Sequence, residues 1–351
     1  MRKLPFEKDL NTVKVLLQLN KASNSIGELN GILKTLPNPN IILNAISLGE
    51  AKSSSEVENI VTTYDELYNE ASLINENKSA KEVLRYQEAI NCADQIVVER
   101  EMITTNDIVK IHHIIEPNKG AIRNQSGTVI KNEKTNEIVH TPPQNESEIR
   151  DYLQNLENYI NSPCEKYDPL INMAIIHYQF ETVHPFFDGN GRTGRVLNIA
   201  YLRLQNKLNL PLLYLSKYIN ENKDSYYQLL ADVQKNEDNI ENFVIYMLKA
   251  VEEMSIFTVQ FIDEFISCMD KTNNNIKEQL PKRDASEITA ALFYNFVTKN
   301  ETFREILNVS RTTATTILKE LVEIGVLTEN KVGKEVFYKN VALFELLKKW
   351  D

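Results

Sequence analysis

Residues 184–195 read HPFFDGNGRTGR, placing a histidine, a carboxylate, a glycine-framed turn and two arginines in one short run. Gly189 and Gly191 lack a Cβ, so the backbone around them can take conformations barred to other residues and bring its amides close to an anion. The following RTGRVLNIAYLRL has helical spacing. A helix that opens at such a nest adds unpaired amides and the positive end of its dipole, both favourable to phosphate. His184 has the pKa range of a general base near neutral pH, although a histidine taken alone also caps a helix end. Asp188 is the kind of hard oxygen ligand Mg²⁺ uses when phosphates and waters complete its shell, or else an Asp-Gly turn residue. Arg192 and Arg195 are three apart and share a helix face, so they present two forks to two phosphates or form a solvated basic face. No GxxxxGK stretch is present, so this is not a Walker A loop.

Upstream, Leu170, Met173, Ala174, His177, Phe180 and Val183 recur at helical spacing and predict a helix that delivers His184 at its C-terminal end. Further back, Gly127–Pro143 places two β-rich pieces around KNEKTNE and stops at a double proline, which predicts a β-hairpin flap. Val57, Ile60, Val61, Tyr64, Leu67 and Tyr68 predict one helix, and Ser55 and Glu58 have the SxxE spacing of a capping box at its start, as one of two readings of Glu58. Helices are also expected over 82–100 and 106–115. Gly and Pro number only 10 and 11 in 351 residues, which fits long helices and short loops. The expected fold class is mainly α.

Lys271–Asp284, polar and containing Pro281, reads as a linker. Beyond it, helix, helix-turn-helix with a turn at Asn308–Ser310, and strand-turn-strand form a winged helix-turn-helix pattern over 285–351. This segment holds nine Lys/Arg and nine Asp/Glu, so it lacks the basic footprint of a DNA reader. Arg311 and Lys319 on its second helix favour DNA; Glu320 and Glu323 oppose it. The whole chain carries a net charge of -10, which argues against a surface that coats nucleic acid. Cys92, Cys164 and Cys268 are far apart without CxxC spacing, so neither a disulfide framework nor a zinc cluster is expected. No apolar run reaches membrane-span length and no signal peptide is legible, so a soluble cytoplasmic protein is the expectation.

His184, Phe186, Asp188, Gly189, Asn190, Gly191, Arg192 and Arg195 match HxFx(D/E)GNGRxxR without departure, and the chain resembles the Fic family. The resemblance implies a Fic-type helical core over 101–270, an N-terminal helical extension over 1–100, and a C-terminal winged helix. It also implies transfer of AMP from ATP to a Ser, Thr or Tyr hydroxyl of a protein. His184 would then be the base and Asp188 the Mg²⁺ ligand. Gly189, Asn190, Gly191, Arg192, Thr193, Gly194 and Arg195 would hold the phosphates of ATP, with Phe186 anchoring the loop. Tyr226 and Tyr227 would wall the nucleobase, unless they are plain core residues. Ile138, Val139 and His140 of the flap would pin the target chain by strand pairing.

Ser54 to Asn59 fits the family's inhibitory pattern (S/T)xxxE(G/N). Glu58 would pair with Arg195 and deny it to the γ-phosphate. Some relatives with this glutamate also remove AMP from targets, and homodimers are common in the family. Two competing expectations are phosphoryl transfer, as in the Doc branch, and a transcriptional regulator acting through the winged helix.

Overall fold

The computed structural model describes residues 2–36, 38–74, 76–131, 138–163 and 166–351. Five helices come first: α1 (Val13–Thr35), α2 (Asn40–Val57), α3 (Tyr64–Ala71), α4 (Lys78–Arg100) and α5 (Thr105–Ile115). Two short strands follow, β1 (Ile130–Lys131) and β2 (Ile138–His140). Next are α6 (Glu146–Asn161), α7 (Pro169–Val183), α8 (Asn190–Leu204), α9 (Leu215–Glu221), α10 (Lys223–Lys235) and the long α11 (Ile240–Gln279). The remainder comprises α12 (Ala285–Tyr294), β3 (Val297–Lys299), α13 (Asn300–Ile306), α14 (Arg311–Glu323), β4 (Leu327–Val332), β5 (Glu335–Asn340) and α15 (Val341–Lys349).

The centre of the molecule is the α7–α8 hairpin. Asp168 caps α7 by accepting from the Leu170 N–H at 2.8 Å, and Pro169 supplies the preset φ of a first helical position. Nearly every residue of α7 is buried, from Leu170 to Val183, as expected of a helix surrounded by others rather than lying on a surface. It stops at His184, whose left-handed φ of 48° reverses the chain before Pro185. Gly189, also left-handed at φ 68°, then opens α8. Around this pair, α4 and α5 lean on α8, α2 lies between α4 and α9, and α1 runs along α11.

The helix expected across residues 57–68 is two helices. α2 ends in a Schellman motif: the Ile60 N–H reaches the Ser55 carbonyl at 3.0 Å, the Asn59 N–H reaches that of Glu56 at 2.9 Å, and Asn59 sits at φ 61°. Glu58 is therefore a C-terminal residue, and the expected Ser55–Glu58 capping box does not form; the Ser55 hydroxyl turns back to the Ala51 carbonyl at 2.9 Å. The actual capping box lies one step on, with Thr63 and Glu66 opening α3.

β1 and β2 pair antiparallel with Ile130 opposite His140 and Lys131 opposite Ile138, the register slipping between them. The expected turn over 132–137 lies outside the described residues. The 271–284 segment is not a free linker, because α11 continues through it to Gln279 before Pro281 ends the helix. Beyond it, β3, β5 and β4 form an antiparallel sheet in that order beside α12–α14. No helix among the described residues is long and apolar enough to cross a membrane.

Candidate active site

A fully buried arginine shapes the base. Arg123 donates from Nε to the His184 carbonyl at 2.7 Å and from Nη2 to the carbonyls of Val183 (3.4 Å) and Pro143, while its own N–H bonds the Pro185 carbonyl at 2.9 Å. The strained turn at His184 is thus tied to the loop before the flap and to the segment after it. The His184 ring is half-buried, and its Nδ1 has no hydrogen-bond partner among the described residues. Burial lowers its pKa to about 4; the Glu181 carbonyl and Glu58 oppose that shift, and the Arg123 charge adds to it. The imidazole is neutral at physiological pH and can accept a proton.

The nest is held by packing. Phe186 is fully buried and stacked on the His112 ring, with centroids 3.6 Å apart and planes 2° from parallel. Asn190 both accepts from the Phe186 N–H and donates to its carbonyl, each at 2.9 Å. Both ends of the Asn190 amide are therefore engaged in closing the loop instead of facing outward to phosphate. Thr193 does similar work, donating to the Gly189 carbonyl at 2.8 Å and meeting His112 Nδ1 at 3.1 Å. A side chain at Gly189 would meet Glu116 Cγ at 3.0 Å and His112 Cε1 at 3.3 Å.

Asp188 is exposed at the mouth. Its Oδ1 accepts from the Gly189 N–H at 2.8 Å and its Oδ2 from Lys119 Nζ at 2.6 Å. Partial burial works to raise its pKa, but these two donors prevail and hold it below the ordinary carboxylate value. Among the described residues no group of three or more metal-ligating side chains converges. One anchored, ionised carboxylate beside a phosphate nest suits Mg²⁺, which completes its shell with substrate oxygens and water.

The two arginines are buried and already paired. Arg192 donates to Glu116 at 2.6 Å and to Glu82 at 3.3 Å, bridging the end of α5 to α4. Arg195 donates from Nε to the Ser54 hydroxyl and from Nη2 to the Ser54 carbonyl, both at 2.8 Å, and from Nη2 to Glu58 Oε1 at 3.0 Å. Burial opposes its charge, yet Glu58 and the neighbouring Tyr86, Tyr226 and Glu181 raise its pKa above the usual value. The motif's Ser and Asn now have physical roles: Ser54 accepts the second edge of the guanidinium, and Asn59 occupies the left-handed position that ends α2. Glu58 Oε1 also lies where a Cβ on residue 191 would be, so only glycine admits it. Gly194 is likewise confined, its missing Cβ 2.8 Å from Glu181 Oε1.

Tyr226 has the contacts of a plain core residue, the alternative to a nucleobase wall. It is buried, and its hydroxyl pairs with His177 Nε2 at 2.8 Å behind α8, which makes it part of the core. Tyr227 is exposed and stands edge-on to Tyr226 at 5.2 Å. On the flap, Ile138 is exposed, Val139 half-buried, and His140 Nε2 is 2.9 Å from the Thr182 carbonyl. Residue-type reasoning did not find Arg123, Lys119, Glu82 or Glu116, since their roles arise only from contacts far along the chain.

Residues 16–95 match "Fic/DOC family N-terminal", 102–202 match "Fic/DOC family", and 268–343 match "Protein adenylyltransferase SoFic-like, C-terminal domain". The chain belongs to the Fic/DOC family. Among curated relatives it is similar to "Protein adenylyltransferase Fic" of Drosophila willistoni, at 24% identity over 60% of this chain and 40% of that protein. It thus matches well under half the length of that relative. In fold it is similar to a Fic family protein from Desulfovibrio desulfuricans G20, with TM-score 0.61, 18% identity and coverage of 97% of this chain and 98% of that one. Fic-1 from C. elegans is similar at TM-score 0.54 and 18% identity over 71% of this chain and 74% of that one.

Proposed function

We propose that this chain is a protein adenylyltransferase that moves AMP from ATP to a Ser, Thr or Tyr hydroxyl, and that Glu58 restrains it. The observation that carries this reading is the Arg195–Glu58 pair at 3.0 Å, set in the α8 N-terminus beside the neutral base His184. In the reaction the target hydroxyl gives its proton to His184, its oxygen bonds to the α-phosphorus, and the bond from that phosphorus to the pyrophosphate oxygen breaks. Pyrophosphate leaves with the developing charge. Arg195, freed from Glu58, clamps the γ-phosphate, and Arg192 faces the phosphate next to it. Asp188 would hold Mg²⁺, which neutralises charge on the phosphate oxygens when bound. The edge of β2 pairs with the target backbone and places the hydroxyl. Glu58 is only partly exposed in the site, which also suits it to orient water for removal of AMP.

The C-terminal elements follow a winged-helix order. In their recognition helix, α14, Glu320 makes a two-pronged bond to Arg283, both arms 2.8 Å, which leaves Arg311 and Lys319 as its exposed cations. Residues 285–351 as a whole, however, balance nine Lys/Arg with nine Asp/Glu and lack a basic footprint. We assign this part to protein contact rather than to DNA. Incubation with α-labelled and γ-labelled ATP tests the main reading. The α label should reach protein, and more strongly with Glu58→Gly. Transfer of the γ label, or full labelling by His184→Ala, would overturn it.

A further inference from the structure

The helices on either side of Glu58 are both held by the last elements of the fold. On the α2 side, Lys52 is buried at 4% exposure one and a half turns before Glu58. Its ammonium is balanced by Glu56 at 2.5 Å, on the same helix, and by Asp351 at 2.6 Å, just beyond α15. Glu56 in turn accepts from Asn220 Nδ2 at 3.1 Å. Trp350 anchors this end: its ring stands edge-on to Phe257 at 4.7 Å and Phe261 at 5.6 Å, and its Nε1 bonds Glu264 at 2.9 Å. On the α3 side, Lys348 pairs with Asp65 at 2.6 Å, Lys339 stands 3.9 Å from the same carboxylate, and Phe344 packs edge-on against Tyr68 at 6.0 Å. Residues 58–63, which carry the glutamate, are thus bracketed by β5, α15 and Asp351. In the same unit, Arg311, Thr312, Thr316 and Lys319 of α14 are exposed.

We propose that the C-terminal unit sets the position of Glu58 by clamping α2 through Lys52–Asp351 and α3 through Lys348–Asp65. This rests on Glu58 being the brake. A buried lysine that loses one of its two carboxylates is left poorly compensated, and α2 then shifts or frays from its C-terminal turn, where Glu58 sits.

The test uses the full chain and α-labelled ATP, with hydrogen exchange of residues 53–63 as a second readout. Glu58→Gly first establishes the brake. Asp351→Asn with Lys348→Met should then raise labelling about threefold or more and quicken exchange over 53–63, with no added gain in the Glu58→Gly background. Lys348→Asp raises labelling, and adding Asp65→Lys to restore the bridge in reverse returns it to the wild-type level. If Glu58→Gly activates but the clamp variants change neither readout, the clamp is wrong and the brake stands. If Glu58→Gly does not activate, the brake reading fails and the clamp falls with it. Lys348 is half exposed, so its variants decide the question even if Asp351→Asn disturbs folding.

Discussion

His184 is a weakly basic histidine held neutral by burial, the form the proposed base requires. Its pKa near 4 means that kcat/KM, which reports the free enzyme, should stay level as pH falls from 8 to 6; a limb centred near 6.5 would show the ring is not shielded as described. Arg123 matters as much without touching substrate. Arg123→Met should leave three carbonyls without their donor, cost about 2–4 kcal/mol of stability measured by denaturant unfolding, and lower kcat more than it changes KM. A loss confined to KM would place Arg123 elsewhere in the mechanism. The 184–195 run was legible at this scale as a family signature and as a glycine turn opening a helix, because its residue types and spacing are local. Arg123 was not: an isolated arginine sixty residues upstream carries no local sign of the carbonyls it will meet.

Among the elements, the stretch between α2 and α3 is the most instructive. Its apolar residues keep helical spacing from Val57 to Tyr68, so periodicity alone runs through the break. What interrupts it is conformational: a left-handed Asn59 and a second cap at Thr63. Position 59 should accept glycine with little change, whereas Asn59→Val should cost about 1–2 kcal/mol, since a β-branched residue resists positive φ. Thermal melts of the two variants check this, and equal melting temperatures would sink it. Tyr226 shows the complementary difficulty. A tyrosine pair after the core suggests a base-stacking wall, but whether a given ring faces the cleft or the interior depends on the rotation of α10, and here its hydroxyl was needed by a buried histidine.

Across the whole molecule, buried ionisable groups set opposing pH trends. Burial lowers His112 and His184 to about 4 and His177 to about 3. Unfolded histidines bind protons below about 6.5 that these do not, so their contribution is present above that pH and is lost as pH falls toward 4. Burial raises Glu50 to about 7 and Glu181 to about 8. These keep protons that the unfolded chain releases above 4.5, so their contribution is lost as pH rises through 7 and 8. Stability should peak near pH 6.5 and decline on both sides, by up to about 1.4 kcal/mol per pH unit for each group titrating. Melting temperature across pH 5 to 8.5 tests this. Glu181→Gln should flatten the alkaline side, and an unchanged slope would contradict the assignment.

The bare α-carbon at Gly191 has a genetic consequence. The space beside it admits the Glu58 carboxylate, and on the proposed function it is also where phosphate would settle once Glu58 withdraws. Lesions at the two positions should therefore differ in kind: losing the carboxylate at 58 removes the proposed restraint alone and yields overactive alleles, whereas alanine at 191 displaces Glu58 and crowds Arg195 together, so it should not reproduce that gain.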